Sequence, residues 1–163
     1  EICQELNSIY YILDLKSDEK YNKNFVGKCN KNTVFVHIST YGKNKAGWSD
    51  INENTFLELI KNLNEKKYDI GLSGRNFDNI NWEETIKKVK NITKKTPILL
   101  KDENISTCIE AVKKSKCIIG PINGFLIISH TQGANVFSIW PNSLEKMDIY
   151  YTCKSGSDCL IYK

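Results

Sequence analysis

Short runs of β-branched, aromatic and aliphatic residues recur along this chain, and a segment with apolar residues at three- and four-residue spacing separates each run from the next. The runs are Thr33–Ser39 (TVFVHIS), Tyr68–Ser73 (YDIGLS), Pro97–Lys101 (PILLK), Lys116–Gly120 (KCIIG) and Asn135–Trp140 (NVFSIW). Each has the length and composition of a buried strand. Between them, Phe56, Leu59, Ile60 and Leu63 fall on one helical face, as do Trp82, Ile86 and Val89. Thr107-x-x-Glu110 reads as a capping box that opens a helix carrying Ile109 and Val112. A further helix is expected from about Asn123 to Gln132, with Gly133 at its C′ position. Strands that alternate with helices across short connections predict an α/β fold. The expected form is Rossmann-like, a three-layer α/β/α sandwich around a mostly parallel sheet.

Outside this core, Ile2, Leu6, Ile9 and Leu13 have helical spacing. The polar stretch from Lys16 to Asn32 reads as a linker or extended loop, so residues 1–32 are expected to be an N-terminal helix and linker and residues 33–163 the domain. Ile149–Cys153 and Cys159–Tyr162 are expected to pair as a small C-terminal hairpin. The chain opens on Glu1 with no leader pattern, so further sequence is expected upstream.

With 40% hydrophobic and 26% charged residues, the 163-residue chain has the balance of a globular domain, and no apolar run approaches a membrane span. Its net charge of +4 comes from lysine, Arg75 being the only arginine. Nucleic-acid readers cluster arginine with aromatics, and that pattern is missing. Cys108 and Cys117 look like small core residues, and only Cys153 and Cys159 are placed to meet across a turn. No paired C-x-x-C units are present, so reduced thiols and a cytoplasmic location are expected, with no metal.

In a parallel sheet, ligands bind beyond the carboxyl ends of the strands. Two such loops carry unusual sequence. After the fourth strand, Gly120-Pro121-Ile122-Asn123-Gly124-Phe125 leads into a helix whose first N–H groups favour an anion. The same residues also serve as ordinary turn chemistry. After the first strand, Thr40, Lys43 and Lys45 stand among glycines, a set suited to phosphate or simply to a solvated loop. Neither loop has a P-loop or dinucleotide fingerprint. His37, inside the first strand, reads as a core histidine, and His130 as a helix-packing or surface residue.

Taken in order, these features resemble the C-terminal domain of heptosyltransferase-like enzymes, glycosyltransferase family 9, which have the GT-B fold. The resemblance rests on Ser39-Thr40, Lys43 or Lys45, Trp48 and the Phe56–Leu63 helix, then Leu72-Ser73-Gly74-Arg75, then Ile105–Trp140 with Gly133-Ala134-Asn135-Val136. It covers about residues 33–142. It implies a donor domain that passes a heptose or hexose from a nucleotide sugar to a glycan or glycolipid, without a metal or other cofactor. Thr40 with Lys43 or Lys45 would hold the diphosphate, joined by Gly120 and the backbone N–H groups of Asn123, Gly124 and Phe125. Arg75 or Asn76 would lie near the nucleoside. An acceptor-binding N-terminal domain, as a preceding segment or separate chain, would supply the catalytic base.

Where the family has Asp-Thr-Gly-x-x-His, this chain has Ile122-Asn123-Gly124-Phe125-Leu126-Ile127. Loss of the acid and the histidine favours an alternative, a non-catalytic nucleotide-sugar-binding or interaction module on the same fold. A different α/β enzyme, such as an epimerase half or a flavodoxin-like domain, is the third expectation.

Overall fold

The computed structural model describes residues 21–38, 53–74, 81–121 and 123–139. Five strands form one parallel sheet: β1 (Thr33–His37), β2 (Asp69–Ser73), β3 (Ile98–Leu99), β4 (Cys117–Pro121) and β5 (Val136–Ile139). Their spatial order is β3-β2-β1-β4-β5. The helices are α1 (Lys23–Val26), α2 (Glu53–Glu65), α3 (Trp82–Thr93), α4 (Ile105–Lys114) and α5 (Gly124–Thr131). They cover both faces, which makes the fold the expected Rossmann-like α/β sandwich.

Strand alternation divides the core in two. Val34, Val36, Ile70, Leu72 and Cys117 face α2 and α3, where they meet Phe56, Ile60, Leu63, Trp82 and Val89. Phe35 and Ile118 face the opposite layer and pack with Cys108, Ala111 and Val112 of α4 and Leu126 of α5. Phe35 needs space on that face, and Gly71 of the neighbouring strand provides it. A Cβ there would stand 2.2 Å from the Phe35 ring.

Three local readings change. The described part of the Lys16–Asn32 stretch contains α1, capped by Asn22 and anchored by buried Phe25 and Val26. Its start is tied to α4 by the Asn22 N–H, which donates to Thr107 Oγ1 at 2.9 Å. That bond also explains the second change. Helix α4 opens at Asn104, whose side chain accepts from the Thr107 N–H, so Thr107 sits inside the first turn and is not the cap. Third, of the two residues whose type suits the cap of α2, Asn52 and Asn54, Asn54 lies within the helix and does not cap it, and Asn52 lies outside the described residues. Gly133 follows α5 with φ 87°, and the Gly133 and Ala134 N–H groups donate to His130 and Ser129 carbonyls as a Schellman motif requires.

Cys29, Cys108 and Cys117 are buried, as small core residues should be. Burial pushes the Cys117 thiol up to about 11, so it is a poor nucleophile in the folded protein. Cys3, Cys153, Cys159, the Ile2–Leu13 helix and the C-terminal hairpin lie outside the described residues. Among the described residues no helix is long and apolar enough to cross a membrane.

Candidate functional site

The sheet changes direction of travel between β1 and β4. From β1 the chain proceeds through α2 to β2 on one side; from β4 it proceeds through α5 to β5 on the other. The two strands are hydrogen-bonded neighbours, in register from Val34 opposite Cys117 to Val36 opposite Ile119. Since α2 and α5 cover opposite faces, the carboxyl ends of β1 and β4 are where a sheet of this order favours a ligand.

On the β4 side this end of the sheet consists of Pro121, Asn123 and the first turn of α5. Asn123 has extended backbone and is the N-cap. Its Oδ1 accepts from the Leu126 N–H at 3.1 Å, and its Nδ2 donates to the Pro121 carbonyl at 2.9 Å. The side chain is therefore committed to holding the turn. The Gly124 and Phe125 N–H groups come before the first intrahelical hydrogen bond, which Ile127 donates to the Asn123 carbonyl. Gly124 is exposed, and a Cβ added there would meet nothing within 4 Å. Gly124 thus leaves open access to two donors at the positive end of a helix dipole. No carboxylate occurs anywhere between Cys117 and Ile139 to oppose an anion there.

Gly120 has a different role. A Cβ on it would lie 2.7 Å from the His37 Cβ and 2.9 Å from the His37 carbonyl oxygen. Its lack of a side chain lets β1 and β4 approach each other at their tips. His37 is buried, consistent with a core histidine. Its Nδ1 lies 2.9 Å from Ser73 Oγ at the corresponding end of β2, and its ring is 6.1 Å from that of Phe125. Sequence reading missed this bridge from β2 through β1 to α5. The only signal was a polar residue ending each of two apolar runs.

Thr40, Lys43, Lys45, Arg75 and Asn76 lie outside the described residues, as does Ile122. The loop bearing Thr40 starts just after β1, and Arg75 is two residues beyond β2. The described candidates Gly120, Asn123, Gly124 and Phe125 share the end of β4 and the start of α5. Among the described residues no three His, Cys, Asp or Glu side chains group as metal ligands.

Further along α5, Ser129 is fully buried and its Oγ has no hydrogen-bond partner. Ser129→Ala is expected to stabilise the protein by about 1 kcal/mol, because it removes an unsatisfied buried hydroxyl. Chemical denaturation of the two proteins side by side checks this.

The chain matches no family model, no curated protein and no solved structure.

Proposed function

We propose that this chain is the nucleotide-sugar-binding half of a glycosyltransferase of the GT-B type, acting with an acceptor-binding domain that supplies the base. The observation that carries this reading is the free start of α5, with Gly124 and Phe125 N–H groups open beside the carboxyl end of β1. A diphosphate seated there would neutralise the helix end. Thr40 with Lys43 or Lys45 would reach it from the loop after β1, and Arg75 or Asn76, after β2, would lie toward the nucleoside. The same amides and ammonium groups would stabilise the diphosphate as it departs, which is the electrostatic part of glycosyl transfer.

The test is thermal stabilisation by ADP, UDP or their sugar conjugates at millimolar concentration. A ligand at a hundred times its Kd stabilises by about 2.7 kcal/mol. Gly124→Asp is expected to fold normally, since its Cβ meets nothing and an acidic residue suits a helix start. Its carboxylate would occupy the anion's place and weaken binding at least about tenfold, a loss of roughly 1.4 kcal/mol. Lys43→Ala with Lys45→Ala should remove the shift as well. Failure of every nucleoside diphosphate and nucleotide sugar to shift the melting temperature would refute the proposal.

A non-catalytic binding module is the second reading, favoured by Ile122 and Ile127 in place of the family's acid and histidine. Sugar transfer by the chain together with its acceptor domain would exclude it; tight binding without transfer would support it.

A further inference from the structure

We propose that the amino edge of the sheet, opposite the candidate site, docks on an anionic lipid bilayer. Because every strand pair is parallel, all helix-to-strand connections arrive at this one edge. Lys28 and Lys31 precede β1, and Lys66 and Lys67 precede β2. Lys94 and Lys95 precede β3, and Lys114 and Lys116 precede β4. Each of these side chains belongs to an exposed residue. Strands β3, β2, β1 and β4 are consecutive in space, so the pairs form an unbroken row roughly 15 Å across.

Complementing helix dipoles is the ordinary reason for lysines at helix ends, but here it is too small. The carboxyl ends of α2, α3 and α4 contribute roughly half a negative charge each. Glu65 and Asp69 are the acids in these connections, and Asp69 is already paired with Lys95 at 2.8 Å. The connections still hold more formal positive charge than the +4 of the whole chain. Backbone geometry points the same way. Lys67 and Lys94 adopt φ of 64° and 59°, where glycine or asparagine is favoured. The connection after α5, which has no lysine, uses Gly133 at its left-handed position. Lysine thus stands at two places where the backbone favours glycine or asparagine.

The chemistry fits lipid headgroups better than nucleic acid. Lysine is a hydrated point charge without the planar fork that reads phosphates and bases, and Arg75 is the only arginine. A bilayer requires only positive charge spread over a plane, each lysine near it contributing about fivefold in affinity. Docking on this edge leaves the carboxyl ends of β1 and β4 facing away from the lipid. The proposal is independent of what binds there.

The experiment is co-sedimentation of the 163-residue protein with phosphatidylcholine vesicles, with or without about 30% phosphatidylserine, at about 0.1 M salt. Binding is expected only to the anionic vesicles and should vanish at about 0.5 M salt. Lys67→Asn with Lys94→Asn removes two charges and eases both left-handed positions. It should keep or raise the melting temperature while weakening vesicle binding on the order of twentyfold. Equal binding to neutral vesicles, or no loss in a folded double variant, would overturn the proposal. So would tight binding to a labelled duplex or single-stranded RNA without binding to vesicles.

Discussion

Gly71→Val is expected to lower the unfolding free energy by about 3 kcal/mol or more, a large share of the roughly 5–15 kcal/mol by which a domain is stable. The cause is not backbone conformation. A Cβ at Gly71 would lie 2.2 Å from Phe35 Cδ1, 2.3 Å from Cε1 and 2.9 Å from Cγ. Phe35 is fully buried among α4, β4 and α5 side chains, so its ring has no direction in which to yield. Valine adds two further methyl groups to that clash. In urea, with a slope of about 2 kcal/mol per molar, the midpoint should fall by about 1.5 M. The companion substitution Phe35→Leu should recover part of the loss, because the two positions share one volume. An unchanged midpoint for Gly71→Val would mean that Phe35 does not pack over that strand.

Gly120→Ala should have a comparable effect for a different reason. Here the new methyl meets the His37 Cβ, carbonyl oxygen and Cα at 2.7, 2.9 and 3.3 Å, so the obstacle is mainly the β1 backbone. Relief requires the tips of β1 and β4 to separate, at a cost of about 2–3 kcal/mol. The separation also shifts Asn123 and the start of α5 relative to β1. Stability and any nucleotide-dependent thermal shift should therefore fall together. Gly124→Ala, four residues further along and facing open space, should leave stability within about 0.5 kcal/mol of the parent. If Gly120→Ala were as mild as Gly124→Ala, the close approach of the strands would be wrong.

The elements were legible in sequence because apolar spacing differs so plainly between, for example, VFV at residues 34–36 and Phe56, Ile60 and Leu63. The short helix α1 was hidden by its polar neighbours. Only Phe25 and Val26 carry its burial, and a single turn has no period to detect. The start of α4 was misplaced because Thr107 and Glu110 have capping-box spacing. Asn104 is also a cap residue, and the tertiary bond from Asn22 engages the Thr107 hydroxyl elsewhere. Sheet order was beyond local pattern altogether, since nothing within β4 says that it adds to β1 and not to β3.

At the site, Asn123 and Gly124 were recognisable as a helix start. Gly120, which the resemblance places at the diphosphate, also lies hard against the neighbouring strand at His37. The bridge between His37 and Ser73 depends on the register of β1 with β2, which is a three-dimensional fact.

The position of β1 has a consequence for how the chain reaches its native state. It is the central strand, yet its partner β4 starts more than eighty residues later, at Cys117. During synthesis β1 and β2 can pair long before β4 emerges, leaving the apolar Val34–Val36 segment with one unsatisfied edge. Such a strand recruits whatever extended chain comes first. A nascent polypeptide stalled before Cys117 should therefore be a strong substrate for holding chaperones, and release from them should follow completion of β4.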